Sequence, residues 1–363
     1  MLDIRRESSE VRVGIIGTGF IAQIHARAAR QAGARLAAVA DVDEERALQA
    51  GRLFGAERAF GSAEDLIESE LVDVVHVCTP NHLHAPLALK ALDAGLAVIC
   101  EKPLATDAPT AALMAERARD ARLVAAVPFV YRFHAMVREA RARLADLGRI
   151  SLIQGSYLQD WLLKSTDDNW RVDPAKGGPG RTIGDIGSHW FDLVEFVTGE
   201  RITKLCAQTS VVVADRVTSG PVLTEDLATI QFATASGALG SVAVSQVAPG
   251  RKNRLFLEIS AATGSLAFDQ ESPERLWLGA REGSQALVRD PVTLSEAAKP
   301  YSPLPAGHPQ GFQDCFNAFI ADTYATVKGE HREGLPLFQD GARAAHLTDA
   351  ALQSAKEGAW VAC

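Results

Sequence analysis

The sequence of 363 residues predicts an α/β protein with a doubly wound parallel sheet in its first part and an antiparallel or mixed sheet in its second. From residue 11 to about residue 130, short apolar runs alternate with helix-periodic segments, and Gly, Pro or Asp marks each break. That rhythm is typical of right-handed crossovers around a buried parallel sheet. After Arg132, long runs of alternating polarity replace it. The length favours two domains, which we expect at 1–130 and 131–363.

Each predicted element follows from these patterns. The apolar runs of the first part predict strands at 11–16, 36–40, 72–78, 97–100 and 123–127. In the second part, helical periodicity predicts helices at 134–147, 312–327 and 339–356. Alternation predicts strands at 202–213, 227–235, 238–247, 254–259 and 265–269, with a hairpin turn at Ser236 and Gly237. The proline-rich segment 291–310 is expected to be a loop.

Composition and charge narrow the class of partner. The chain carries 37 Lys and Arg against 45 Asp and Glu, a formal net charge of −8, and its basic residues are scattered. This distribution argues against nucleic-acid binding. No run approaches the ~18 apolar residues of a membrane span, and the N-terminal segment lacks the apolar core of a signal peptide. We therefore expect a small-molecule partner and no membrane contact.

The cysteines indicate the compartment. There are five, an odd number with wide spacing, and two of them lie inside apolar strand-like runs. Such a pattern argues against a disulfide framework, so we expect a reducing, cytoplasmic location. The histidines follow no metal-ligand spacing, and no metal is expected.

A glycine loop follows the first predicted strand. It has the spacing G-x-G-x-x-A and consists of Gly17, Thr18, Gly19, Phe20, Ile21 and Ala22. In this spacing Gly17 permits a tight turn, Gly19 lets backbone N–H groups approach a pyrophosphate, and Ala22 lets helix and strand pack closely. An ordinary tight turn between strand and helix is the alternative.

An acidic residue at the end of the second predicted strand favours NAD over NADP. Asp41 lies 41 − 17 = 24 residues after Gly17, near the ~20-residue offset at which a carboxylate accepts the ribose 2′-OH. A carboxylate there repels a 2′-phosphate. The alternative is that Asp41 and Asp43 cap the next helix.

Two further strand ends carry polar residues to the same predicted edge of the sheet. The first gives Thr79, Pro80, Asn81 and His84, and the second gives Glu101, Lys102 and Pro103. In an open α/β sheet, ligands bind at the carboxyl edge. The alternatives are a helix start at Pro80 capped by Asn81, and a surface lysine before a turn.

The second part supplies acid–base candidates. Asp185 and His189 follow a glycine cluster and are four residues apart, which on a helix places them on one face. A carboxylate beside an imidazole sets its tautomer and raises its pKa, giving a proton carrier near neutral pH. The alternative is an N-cap aspartate and a partly buried histidine.

A tryptophan-bearing stretch indicates the substrate. Trp161 or Trp170 could lay a ring against the apolar face of a sugar, while Gln159 and Arg171 reach its hydroxyls. This set fits a neutral pyranose or cyclitol. A core tryptophan beside a solvated acidic loop is the alternative.

Together, four motifs resemble the glucose–fructose oxidoreductase / inositol dehydrogenase / rhizopine-catabolism (Gfo/Idh/MocA) family of nicotinamide-dependent oxidoreductases. They are the glycine loop, the T-P-N-x-x-H turn, the Glu-Lys-Pro strand end and the G-D-I-G-S-H-x-x-D segment that begins at Gly184. The resemblance implies an N-terminal Rossmann domain and a C-terminal α/β domain with a large, open-faced, mainly antiparallel sheet, often used for oligomer contacts. It implies a homodimer or homotetramer. It assigns the cofactor to the glycine loop, Asp41, Thr79, Pro80, Asn81, His84, Glu101 and Lys102.

The resemblance also implies the activity. The expected function is NAD-dependent oxidation of a secondary ring hydroxyl in a sugar, anhydrosugar or cyclitol. His189 would take the proton, Asp185 would orient the His189 ring or bind a neighbouring hydroxyl, and Lys102 would bind the reacting oxygen. Either His189 or Lys102 could be the immediate proton acceptor. Arg132 would approach the substrate. The alternatives are an NADP-dependent reductase, an NAD-dependent glycoside hydrolase and a non-catalytic sensor.

Overall fold

The computed structural model describes residues 10–363 and contains two large β-sheets. The first sheet is parallel and has the strand order β3-β2-β1-β4-β5-β6. Its strands are β1 (Arg12–Ile16), β2 (Arg35–Ala40), β3 (Arg58–Phe60), β4 (Val74–Val77), β5 (Ala97–Cys100) and β6 (Ala125–Ala126). The strand order reverses between β1 and β4, and such a reversal opens a ligand crevice at the carboxyl edge. The predicted doubly wound Rossmann sheet is confirmed.

Five helices connect these strands. They are α1 (Phe20–Gln31), α2 (Glu44–Phe54), α3 (Ala63–Ile67), α4 (His84–Asp93) and α5 (Ala108–Ala121). Asp43 caps α2 by accepting hydrogen bonds from the backbone N–H groups of Glu45 and Arg46. Asp107 caps α5 in the same way through the N–H of Thr110. These caps satisfy backbone donors that the first helical turn leaves free.

The second sheet has nine strands in the order β16-β15-β14-β13-β7-β12-β11-β8-β17. They are β7 (Ile150–Leu158), β8 (Ile202–Ser210), β11 (Leu227–Thr234), β12 (Leu239–Ser245), β13 (Arg254–Ala261), β14 (Ser265–Asp269), β15 (Arg275–Ala280), β16 (Gly283–Val288) and β17 (Val361–Ala362), while β9 (Asp215–Arg216) and β10 (Gly220–Pro221) form a separate hairpin. Among the described residues of this second sheet, only β7 and β12 pair in parallel, so the expected mainly antiparallel sheet is confirmed.

Helices cover one face of the second sheet. They are α6 (Ala135–Leu144), α8 (Ser188–Thr198) and α10 (Phe338–Glu357), and a short helix, α7 (Pro174–Gly177), precedes α8. Trp190 is buried in the core between them and the sheet. On the other face, Leu152, Leu239 and Trp277 are exposed, which gives the sheet an open face.

The chain returns to the first sheet near its end. Helix α9 (Phe312–Val327) packs against α1, and Phe316, Phe319 and Ile320 share a core with Ile24 and Ala28. Helix α10 contacts both α5 and α8. The two sheets are therefore joined by packing as well as by the chain. No helix within residues 10–363 is long and apolar enough to cross a membrane.

The sequence analysis did not predict every strand. The central strand β7 was not predicted because Gly155 interrupts its alternation, and that glycine is required by packing. A Cβ at Gly155 would lie 2.5 Å from Trp190 Nε1. Strands β3, β9, β10, β15, β16 and β17 were also missed. The hairpin at Gly237, where φ is +88°, is confirmed by the pairing of β11 with β12.

Candidate active site

The glycine loop lies at the crevice between β1 and β4. Gly17 has φ +89°, and a Cβ there would lie 2.7 Å from the carbonyl oxygen of Cys78, so the turn requires glycine. A Cβ on Gly19 would meet nothing within 4 Å, which leaves open space at the N-terminus of α1. Phe20 is 74% exposed beside it, and Ile21 is partly buried. The loop therefore fits a bound pyrophosphate.

Asp41 faces this loop. Its Oδ2 accepts hydrogen bonds from Thr18 N at 3.1 Å and from Thr18 Oγ1 at 2.6 Å. Because Asp43 alone caps α2, the alternative that Asp41 is a helix cap is wrong. The carboxylate thus lies beside the expected ribose position.

Two side chains of the turn after β4, which the sequence analysis assigned to cofactor binding, have a structural role. His84 is buried, and its ring nitrogens lie 2.8 Å from the carbonyl oxygen of Pro103 and 2.9 Å from that of Thr79. Asn81 does not cap a helix but donates to the carbonyl oxygen of Gly177 at 2.8 Å. Both side chains therefore join loops, and their expected contacts with the cofactor stay a prediction.

Thr79 and Pro80 remain at the crevice. The Thr79 Oγ1 atom is buried without a hydrogen-bond partner among residues 10–363. Pro80 is partly exposed and precedes the 3₁₀ turn Asn81–Leu83. A buried hydroxyl without a partner at this edge fits a polar ligand.

An ion pair joins the two parts of the chain at the crevice. Lys102 Nζ lies 2.7 Å from Asp185 Oδ1 and donates to the Asp185 carbonyl oxygen at 2.9 Å. Arg171 Nε lies 3.3 Å from the same carboxylate oxygen, and Gln246 Nε2 donates to Oδ2 at 2.8 Å. Burial would raise the pKa of Asp185, but the charges of Lys102 and Arg171 hold that pKa well below its usual value.

His189 does not form the expected pair with Asp185. Asp185 lies in the π-helical turn Ile183–Gly187, directly before α8, and its hydrogen bonds go to Lys102, Arg171 and Gln246. The wider π-helical turn changes the side-chain directions of an ordinary helix, so a four-residue spacing no longer brings these groups together. The expectation that Asp185 orients His189 through a hydrogen bond is wrong. The charge of Asp185 does act to raise the pKa of His189, but burial and the charge of Lys102 outweigh that effect.

Aromatic rings surround the His189 imidazole instead. Its ring centroid lies 5.6 Å from that of Phe129, 5.1 Å from Tyr131 and 6.3 Å from Tyr157. The Nδ1 atom is buried without a partner in the described part of the chain. Burial, and next the charge of Lys102, hold the pKa of His189 well below its usual value. The imidazole is therefore neutral at physiological pH.

Two of the substrate candidates, Gln159 and Trp161, lie in a hydrogen-bonded row. Trp161 Nε1 donates to Gln159 Oε1 at 2.8 Å, and Gln159 Nε2 donates to Asn253 Oδ1 at 2.7 Å. Trp161 remains 37% exposed, which rejects the alternative of a core tryptophan. The Trp170 ring lies beneath the Arg171 guanidinium at 4.3 Å.

Arg132 belongs to a different cluster. Its Nε donates to Asp192 Oδ2 at 2.8 Å and its Nη2 donates to Asp340 Oδ1 at 2.8 Å. The guanidinium is buried, so the expected substrate contact is wrong. Its neighbour Tyr131 faces His189 instead.

Sequence reasoning missed two polar residues of this region. Gln246 is completely buried against Asp185, and Asn253 accepts hydrogen bonds from both Tyr157 and Gln159. A glutamine directly after an apolar strand was a usable signal for the first. No sequence feature marked Asn253.

Comparison with known proteins places this geometry in a family. Residues 11–129 match an oxidoreductase family with an NAD-binding Rossmann fold, and residues 137–267 match the GFO/IDH/MocA C-terminal domain. Levoglucosan dehydrogenase from Pseudarthrobacter phenanthrenivorans is 31% identical over 389 aligned residues, covering 97% of each chain. Inositol 2-dehydrogenase from Rubrobacter xylanophilus is 34% identical over 270 aligned residues, covering 72% of each chain.

Solved structures agree with the sequence matches. A levoglucosan dehydrogenase in complex with NADH and L-sorbose has a TM-score of 0.91 at 29% identity, covering 97% of this chain and 98% of that chain. An inositol dehydrogenase homologue from Azotobacter vinelandii in complex with NAD+ has a TM-score of 0.90 at 27% identity, covering 99% and 98%. The first part of the chain is thus an NAD-binding domain, and the chain belongs to the Gfo/Idh/MocA family as an NAD-dependent dehydrogenase.

Proposed function

We propose that the crevice oxidises a secondary ring hydroxyl of a neutral sugar, most specifically a 1,6-anhydrosugar such as levoglucosan. Lys102, Asp185 and His189 are the proposed reacting groups. The observation that carries this proposal is the 2.7 Å ion pair between Lys102 of the first part and Asp185 of the second. It puts an ammonium at the carboxyl edge of the NAD-binding sheet, where its charge acts on His189.

The residues divide the chemistry between them. NAD supplies the hydride acceptor when it is bound. The neutral His189 imidazole accepts the hydroxyl proton at Nε2, since Nδ1 is buried. The Lys102 ammonium, held by Asp185, donates to the reacting oxygen and stabilises the negative charge that develops there. The carbon thus loses a hydride to the cofactor while its hydroxyl proton goes to the enzyme.

Charge and shape support a neutral substrate. Lys102 and Arg171 both pair with Asp185, so neither cation is reserved for a substrate phosphate or carboxylate. The exposed face of Trp161 suits the apolar face of a sugar ring, and Gln159 is positioned beside it to meet hydroxyls. Among relatives, the levoglucosan dehydrogenase covers 97% of each chain, which favours an anhydrosugar.

A substrate panel tests the proposal. Levoglucosan, glucose, xylose and myo-inositol are compared by NADH absorbance, with NADP in place of NAD as the cofactor control. We expect the highest kcat/KM for levoglucosan with NAD. Equal or higher kcat/KM for myo-inositol would refute the substrate assignment, and full activity of a Lys102→Ala variant would refute the proposed reacting groups.

We also propose a cytoplasmic homo-oligomer built from the two expected domains. The open face of the second sheet carries exposed Leu152, Leu239 and Trp277, an apolar surface that a second copy would cover. All five cysteines are free, which suits a reducing compartment. Light scattering tests the assembly: the wild type should be a dimer or tetramer, and Leu239→Asp should lower its mass. A monomeric wild type would refute it.

A further inference from the structure

Four residues that the proposed reaction does not use as reacting groups form a buried hydrogen-bonded chain behind the Lys102 loop. Tyr324 OH lies 2.9 Å from His76 Nε2, His76 Nδ1 lies 3.1 Å from His25 Nδ1, and His25 Nε2 lies 3.0 Å from Glu101 Oε1. Both histidines are completely buried. We call Tyr324, His76, His25 and Glu101 the histidine relay.

Only one arrangement of protons satisfies every contact with both imidazoles neutral. The ionised Glu101 carboxylate can only accept, so His25 carries its proton on Nε2. His25 Nδ1 then accepts from His76 Nδ1, and His76 Nε2 accepts from the Tyr324 hydroxyl. Burial holds the pKa of His76 well below its usual value, in agreement with a neutral ring. The carboxylate at one end thus sets the tautomer of both histidines.

The relay joins three separate elements to the loop that follows β5. His25 lies on α1, His76 on β4 and Tyr324 on α9, while Glu101 directly follows β5. At its other oxygen, Glu101 Oε2 accepts the backbone N–H of Lys102 at 3.1 Å. The orientation of this carboxylate is therefore coupled to the main chain that carries Lys102.

We propose that His25 is a positioning residue for the oxidation, which holds the Glu101 carboxylate so that Glu101 fixes the main chain of Lys102. His76 and Tyr324 keep the proton on the His25 nitrogen that faces Glu101. The inference rests on the proposed role of Lys102. The inference assigns a role to His25 and His76, two histidines that follow no metal-ligand spacing and are not exposed at the surface.

Two substitutions of His25 separate positioning from packing. The amide of Gln reaches the place of the imidazole Nε2, whereas the shorter amide of Asn reaches only the place of Nδ1. His25→Gln therefore keeps a donor to Glu101, and His25→Asn removes it. Phe316→Leu is the matched control, because the Phe316 ring packs against His25 with 5.1 Å between centroids and takes no part in the relay.

The expected result is a fall in kcat without a loss of binding. His25→Asn should lower kcat about tenfold, because small displacements of a catalytic group are costly. The KM for the sugar and the Kd for NADH should stay within about twofold of wild type by this reasoning. His25→Gln should recover most of kcat, and Phe316→Leu should lower Tm while keeping kcat.

A double-mutant cycle with Glu101→Gln completes the test. If His25 acts through Glu101, His25→Asn should add little to the loss in kcat caused by Glu101→Gln. Additive losses, or a wild-type kcat in folded His25→Asn, would overturn the inference. Should His25→Asn not fold, a wild-type kcat in both Tyr324→Phe and Glu101→Gln would overturn it. The Lys102→Ala variant distinguishes a failure of this inference from a failure of the proposed function. If Lys102→Ala is inactive while His25→Asn is fully active, only this inference fails.

Discussion

Replacing Asp185 by asparagine removes the charge that joins the two parts of the chain while nearly keeping the side-chain shape. The side chains of Lys102 and Asp185 are only 15% and 10% exposed, so solvent screens the 2.7 Å pair weakly. Removing one partner of a buried ion pair costs about 3–5 kcal/mol. Because asparagine still accepts a hydrogen bond, we expect a loss of about 3 kcal/mol in the free energy of unfolding, at the lower end of that range.

The pH dependence of this loss has a definite sign. Paired cations hold the pKa of Asp185 below its usual value, so the carboxylate stabilises the fold above the unfolded pKa of about 3.9. That contribution is lost as the pH falls through the folded pKa. The stability difference between wild type and Asp185→Asn should therefore be constant from about pH 7 to 5 and shrink below about pH 4.

Urea unfolding followed by tryptophan fluorescence measures the difference at each pH. Asp160→Asn is the control, since Asp160 pairs with the exposed Lys252 and its loss should change stability little. If Asp185→Asn unfolds at the same urea concentration as wild type across this range, the ion pair does not stabilise the fold and the reasoning is refuted.

Three further outcomes are expected. Asp41→Ala should raise the NADP-to-NAD ratio of kcat/KM by about tenfold, equivalent to ~1.4 kcal/mol, because it removes the charge facing a 2′-phosphate; an unchanged ratio would contradict this. His189→Ala should lower kcat about a hundredfold with NADH binding retained, and because the pKa of His189 is lowered, wild-type oxidation should stay active to below pH 6.5 and decline only as acid protonates the ring. Arg132→Met should cost about 3 kcal/mol of stability by leaving the buried Asp192 unpaired, while a change confined to the sugar KM would restore Arg132 as a substrate residue.

The sequence predicted the fold where local pattern and tertiary packing agree. The apolar runs of the first sheet are buried on both faces, so β1, β2, β4 and β5 fall within about two residues of their predicted bounds. Strand β7 was not predicted because Gly155 is required by residues distant in sequence, the Phe256 carbonyl oxygen and the Trp190 ring, rather than by its sequence neighbours. Such a contact leaves no periodic signal.

The difference between local sequence pattern and contacts distant in sequence also explains which site residues were assigned wrong roles. Lys102 and Asp41 lie just after the ends of strands, and the spacing of the apolar runs in the sequence predicts where those strands end. The roles of Asp185 and His189 depend on a π-helical turn, and the role of Arg132 depends on Asp192 and Asp340, both distant in sequence. Side-chain partners across elements could not be read from spacing alone.

A crystal structure with NADH and levoglucosan bound would test most directly whether Lys102 of the first part of the chain and His189 of the second act on the same sugar oxygen. We predict that Lys102 Nζ and His189 Nε2 both lie within about 3.2 Å of the same sugar oxygen. Contacts of these two nitrogens with different oxygens, or a sugar bound away from either, would contradict the proposed mechanism.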